Sequence, residues 1–181
     1  ERMADRCNTI RLYSFQTDVV YQVLKRDGVC YSKEEYVRKK YKESAKVFIN
    51  AYGWFVKEAQ HIVPKPEGAE YPYWAFTDLY NVDQTGDGHV LTLDVPIGEA
   101  ILFDMFDWTK IMQMHYIGEN ESEEATFSEE LKNMGMNEFQ IMTSNFYPEQ
   151  KARIQESWKR LFGHQQAIEA GDNSGVHSVQ A

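Results

Sequence analysis

Residues 70–77 read Glu70-Tyr71-Pro72-Tyr73-Trp74-Ala75-Phe76-Thr77, four aromatic rings and a proline in eight positions. They follow closely on the breaker Pro64-Lys65-Pro66-Glu67-Gly68. Rings gathered this densely either wall a core or line a binding cleft, because large amphipathic side chains are rarely left in water together. Alternation predicts a strand over residues 71–77, with Tyr71, Tyr73 and Ala75 on one face and Pro72, Trp74 and Phe76 on the other. In this reading Trp74 and Phe76 belong to the core. Tyr71 and Tyr73 turn toward a cleft and toward Arg11.

The 181 residues suit one domain, residues 1–181, large enough to bury roughly two-thirds of its unfolded surface. A hydrophobic share of 43% with 14% aromatics places the chain in the globular class. No apolar run approaches the roughly 18 residues needed to span a bilayer, and no charged start leads into an apolar stretch. A cytoplasmic location with no membrane partner is therefore expected. Glu1-Arg2 ahead of Met3 reads as a cloning remnant, with the native start at Met3. Cys7 and Cys30 have no neighbouring cysteine at metal-ligand spacing and are expected to be reduced thiols. The net charge of −9 disfavours duplex nucleic-acid binding, which needs clustered cations to displace counterions. The basic run Arg38, Lys39, Lys40, Lys42 and Lys46 interleaves with Glu34, Glu35 and Glu43, as on a solvated helix face. The partner left open is a protein or nucleic-acid target of unknown kind.

Residues 10–15 alternate and predict a strand. Thr17 or Asp18 caps a short helix with Val19, Val20, Val23 and Leu24 on one face, stopped by Gly28. Residues 29–31 read as a second short strand. Ser32 with Glu35 forms the pattern of a capping box, opening a helix to about Gln60 whose stripe is Phe48, Ala51, Tyr52, Phe55, Val56 and Ala59. Gly53 is its weak point. Residues 89–95 and 100–103 read as two strands around a Val-Pro-Ile-Gly turn. Helices follow with Trp108, Ile111, Met112 and His115 on one face, then over residues 122–134 and 148–162, the last with Ile154, Trp158, Leu161 and Phe162 inward. Residues 171–175 are a turn, and residues 176–181 begin an extended segment, which suggests that the chain continues past Ala181. The whole reads as α+β, a single domain with small sheets of short strands flanked by helices.

Asp83-x-Thr85-x-Asp87-Gly88 imitates the start of a calcium loop. Asp94 stands where a bidentate Glu is expected and a strand follows, so a polar turn is the preferred reading. His61, His89, His115, His164 and His177 show no paired spacing, and no metal is expected. Met105, Met112, Met114, Met134, Met136 and Met142 suit core filling. Asp104 and Asp107, around Phe106 at a strand end, could do acid–base chemistry or cap the next helix, the role that suits Asp107. Arg11 lies on the strand face opposite Ile10 and Leu12. It is either a bidentate phosphate clamp or a surface cation paired with a carboxylate.

Several elements resemble a family of bacterial proteins known only as a domain of unknown function. They are Leu12-Tyr13-Ser14-Phe15-Gln16, Gly28-Val29, Tyr52-Gly53-Trp54-Phe55, Pro66-Glu67-Gly68-x-x-Tyr71-Pro72-x-Trp74-Ala75-Phe76, Val90-Leu91-x-Leu93-x-Val95-Pro96, Ile101-Leu102-x-Asp104 with Trp108, Ser157-Trp158-x-x-Leu161-Phe162, and Val179-Gln180-Ala181. That resemblance covers nearly the whole chain and implies no activity. An N-terminal strand bearing Arg, then helix and strand, then a later strand pair joined by Val-Pro, is similar to the mono-ADP-ribosyltransferase-like fold. This second resemblance implies an NAD-using protein of a toxin or phage-conflict system, with NAD as cofactor. Arg11 and Tyr13 on the first strand and Tyr71, Tyr73 and Trp74 on the aromatic segment would then bind it. Arg11 would hold the phosphates and an aromatic ring would stack on nicotinamide or adenine. The catalytic Glu of that fold has no placed counterpart; Glu169 and Gln180 stand in its neighbourhood, and residues past Ala181 are the other place for it. The alternatives are a non-enzymatic protein-interaction domain and a small-molecule-binding domain without chemistry.

Overall fold

Alternating side chains make β1 (Thr9–Thr17), as expected, and it pairs antiparallel with β2 (Gly88–Pro96) from Thr9↔Pro96 to Thr17↔Gly88. The computed structural model describes residues 8–181, so Met3 and Cys7 lie outside the described residues. At Gly88 any Cβ would press on the Gln16 carbonyl oxygen and the Phe15 ring, so only glycine lets the ribbon close at that end. Helix α1 (Asp18–Asp27) follows directly and ends on Gly28 at φ 74°, whose N–H donates to the Leu24 carbonyl at 2.9 Å. None of its residues is fully buried; on the expected face Val20, Val23 and Leu24 are half-buried and Val19 is exposed. Tyr21 fixes the helix by stacking on His89 of β2 at 4.0 Å.

Two expectations fail in the next segment. Residues 29–31 form no strand, and the Ser32–Glu35 capping box does not form. Helix α2 (Glu34–Tyr41) starts after Lys33, and its cap comes from 36 positions away, where Glu70 Oε2 accepts the Glu34 N–H at 2.8 Å. Glu70→Ala should therefore cost about 1 kcal/mol of stability. Ser32→Ala should stay within about 0.5 kcal/mol. Urea titration of the two variants decides between the caps. The long helix is also interrupted, at Lys42 (φ 48°) rather than Gly53. A 3-10 turn, Lys42–Ser44, leads into α3 (Ala45–Ala59). Ala51, Tyr52, Phe55 and Ala59 are buried and Phe48 and Val56 partly so; Trp54 joins them unpredicted.

The aromatic segment is not one strand. Pro72 has no N–H for a ladder. Glu70 and Tyr71 instead donate their N–H groups to the Ser32 carbonyl at 3.2 and 3.3 Å. Only residues 75–77 pair regularly, and they do so on both sides. Phe76 exchanges two backbone bonds with Tyr13 (2.8 and 2.9 Å), and Ala75 exchanges two with Ala181 (both 2.9 Å). Thr77 N–H adds a bond to the Val179 carbonyl at 3.2 Å.

On the far side lies a second two-stranded sheet, β3 (Phe103–Asp104) with β4 (Val179–Gln180), in register Phe103↔Gln180. Strands β2 and β3 thus do not pair around the Val-Pro-Ile-Gly turn; each takes a partner distant in sequence. Asp104, not Asp107, caps α4 (Met105–Met112), its Oδ1 accepting the Phe106 N–H at 2.9 Å. That helix stops before His115, which leaves the expected face. Then come α5 (Glu121–Asn133), α6 (Glu138–Thr143), α7 (Pro148–Trp158), a 3-10 turn Lys159–His164 and α8 (Gln165–Glu169). Ile154, Trp158 and Leu161 are buried as expected. Met114 and Met142 fill the core, whereas Met134 is half exposed.

The fold is α+β, a single domain whose small sheets are flanked by helices. Its centre is a cage of rings: Phe55 meets Trp74 at 5.1 Å, Trp108 at 5.4 Å and Phe103 at 5.8 Å, all edge-on. Among the described residues, no helix is long and apolar enough to cross a membrane.

Candidate functional site

Between α3, the aromatic segment and the β1–β2 ribbon lies a cavity of about 410 Å³. Its construction follows from the two anchors just described. Residues 70–71 are held at the start of α2 and residues 75–77 between the sheets, so residues 72–74 span the gap and form a wall. Phe55, Val56 and Ala59 of α3 supply the base, and Leu12 and Ser14 of β1 the opposite side. Ser14 is buried, donating its hydroxyl to the Trp74 carbonyl at 2.6 Å and accepting Gln16 Nε2–H at 2.9 Å. It ties the wall to the strand.

Tyr71, Tyr73 and Trp74, singled out from sequence, all line this cavity. Their exposures differ from expectation. Tyr71 is buried, edge-on to Tyr52 at 5.4 Å, and its hydroxyl donates to Glu34 Oε2 at 3.3 Å. Burial, followed by the Glu34 carboxylate, pushes its phenol up to about 12. Trp74 packs against the core while also facing the cavity. Tyr73 is the ring left open to solvent, its hydroxyl donating to Cys30 Sγ at 3.2 Å. Burial of the hydroxyl and that bond raise its pKa, so it remains a neutral donor. Cys30 is a free thiol on the cavity wall.

Arg11 and Tyr13 sit elsewhere. Leu12 and Ser14 face the cavity, and the alternation of β1 turns Arg11 and Tyr13 to its other face. Arg11 makes a bidentate pair with Asp94, its register partner on β2 (Nε–Oδ1 2.9 Å, Nη2–Oδ2 3.0 Å). That is the surface ion pair weighed above against the phosphate clamp. Tyr71 and Tyr73 therefore do not look toward Arg11. Among the described residues lining the cavity, Lys65 and Glu99 carry charge. Neither was singled out from sequence, although Lys65 sits in the Pro-Lys-Pro breaker. Its ammonium donates to the Ala69 carbonyl.

A second grouping forms at the end of β3. Asp104, Asp107 and His164 each present a potential ligand atom, and the three atoms lie within 4.8 Å of one another. Asp104 Oδ2 also meets His177 Nδ1 at 2.9 Å. Burial, then the neighbouring Asp104 charge, raises the pKa of Asp107. The turn at Asp83 forms instead through its own Oδ1, which accepts the Thr85 N–H at 3.0 Å, as the polar-turn reading expects.

The fold and cavity define a small α+β domain organised around an aromatic cleft. Its sequence matches the family described as Domain of unknown function (DUF3841) over residues 11–181, and the chain belongs to that family. No curated protein and no solved structure matches it.

Proposed function

We propose that this is a small-molecule-binding domain whose cleft takes a flat aromatic ring, the ring-bearing end of NAD foremost. The observation that carries the reading is the wall of residues 72–74, held at both ends by its two anchors, in which Tyr73 and the core-packed Trp74 line a space of about 410 Å³. Small-molecule sites commonly occupy about 300–1,000 Å³ and combine apolar walls with a few polar groups. Here the polar groups include the Tyr73 hydroxyl, Lys65 and Glu99.

With NAD as ligand, the rings of Tyr73 and Trp74 would hold nicotinamide and Lys65 would meet the phosphates. Glu99 is the carboxylate that can face a cationic ribosyl centre. Such a site supports breaking the bond between the nicotinamide nitrogen and ribose C1′. With NAD bound, that chemistry would release nicotinamide with the electron pair of the broken bond and pass the ribosyl group to an acceptor hydroxyl or water, which would give up its proton. The part that the sequence resemblance assigned to Arg11 passes to Lys65, because Arg11 and Tyr13 lie on the far face of β1.

Calorimetric titration with nicotinamide and with NAD tests this. A stacked ring contributes about 1–3 kcal/mol, so Tyr73→Ala should weaken binding by about 5- to 150-fold. Arg11→Ala should leave affinity unchanged. No heat from either compound at about 5 mM, a level that detects even millimolar affinity, would remove the NAD form of the proposal. Flat-ring fragments that leave the Tyr73 and Trp74 nuclear resonances unmoved would remove the cleft reading itself.

A further inference from the structure

Asp104, Asp107 and His164 come from three separate places: the end of β3, the first turn of α4, and the 3-10 turn after α7. Their potential ligand atoms converge within 4.8 Å, with Asp104 buried and the other two half-buried. Two carboxylates held together away from water repel each other unless a cation lies between them. The nearest cation-capable group is His177, whose Nδ1 meets Asp104 Oδ2 at 2.9 Å; on the Asp107 side His164 Nε2 stands 3.5 Å from Oδ2, beyond a well-formed N–H···O bond.

Asp104 is oriented by a second layer of contacts. Its Oδ1 accepts the Phe106 N–H at 2.9 Å and its Oδ2 faces His177 Nδ1 at 2.9 Å. The His177 ring is stacked on Phe106 at 4.5 Å. Carboxylates that ligate a metal are themselves held by outer hydrogen bonds, the place that His177 takes at Asp104. A carboxylate has about four lone-pair positions; with the His177 backbone N–H also donating to Oδ2 at 3.3 Å, three are taken and one is left to coordinate.

We propose that Asp104, Asp107 and His164 bind one divalent first-row transition cation, zinc foremost, with His177 orienting Asp104 from outside. The imidazole favours such a metal over magnesium or calcium, which prefer all-oxygen sets. Metal–ligand bonds of about 2.0–2.2 Å place donors roughly 3–3.5 Å apart, so the three side chains need to close by about 1 Å. Three protein ligands leave a coordination position for water.

The test is calorimetric titration of zinc chloride into tag-free, chelator-stripped protein, with circular dichroism confirming the fold of each variant. One zinc per chain is expected. His164→Ala and Asp107→Asn should each weaken it by at least about 100-fold, more than the roughly 10- to 100-fold loss typical of an outer-layer residue such as His177. His115→Ala, a histidine outside the cluster, should change nothing. Asp104 is left intact because it caps α4. Less than half an equivalent bound at about 0.1 mM free zinc, or unchanged affinity in either ligand variant, overturns the site. Unchanged affinity in His177→Ala removes its orienting role alone.

Discussion

Trp158→Ala is expected to lower the unfolding free energy by about 3–5 kcal/mol. Trp158 is 1% exposed at the end of α7, with its ring edge-on to Trp54 at 5.3 Å. Its Nε1–H donates to the His115 carbonyl at 2.7 Å, just past the end of α4. Truncation removes the largest fully buried side chain of the core, leaves a cavity among rigid rings, and orphans a carbonyl. Trp158→Phe separates these effects. It keeps most of the ring volume and loses the hydrogen bond, so about 1–3 kcal/mol is expected. Urea titrations with an unchanged slope measure both. A loss below about 1 kcal/mol for the alanine variant would show that α7 does not anchor the core.

Gln165→Leu should cost about 2–4 kcal/mol although the side-chain volume hardly changes. Gln165 is buried and braces the chain just before β3. Its Oε1 accepts the Leu102 N–H at 2.6 Å, and its Nε2 donates to the Ala100 carbonyl at 3.2 Å and to Glu169 Oε1 at 2.5 Å. Leucine leaves two backbone groups without partners next to Leu102, which is fully buried. The sum follows from about 1–3 kcal/mol per orphaned group. Hydrogen exchange gives a local readout, with the Leu102 amide exchanging faster than its neighbours in the core. Ala100 and Ile101 also line the cleft, so under the proposed function nicotinamide affinity should fall with stability. A variant as stable as the parent, with Leu102 still protected, would refute the bracing role.

What could be read from sequence was whatever depends on near neighbours. The alternation around Leu12 marked β1, Gly28 marked the end of α1, and the spacing of Ile154, Trp158 and Leu161 marked α7. The density of rings marked residues 71–76 as a wall of core or cleft without saying which; Tyr71 and Trp74 proved to be both, packed in the core and lining the cavity. The misses need contacts that no local pattern carries. Nothing around Lys42 announces a positive φ, because that position normally calls for glycine. The cap of α2 lies in the segment that forms the cleft wall. Tyr71 is buried against the alternation rule because Pro72 takes the segment out of any ladder. His164 meets Asp107 only once α7 and α4 have packed. One miss had a local signal: Asn137 and Gln140 form a capping box at the start of α6. At six residues that helix is too short for its periodicity to show.

The doubly paired residues 75–77 bear on the order in which this molecule can be built. They are flanked by β1, made at the beginning of the described chain, and by residues 179–181, made at its end. Ala181 is itself part of the cleft lining. A chain growing from the ribosome can zip β1 to β2 and form the upstream helices, but the cleft's far end waits until residue 181 has emerged. Contacts so distant in sequence form slowly. A nascent chain halted in α7 would therefore be structured in part yet lack the far end of the cleft.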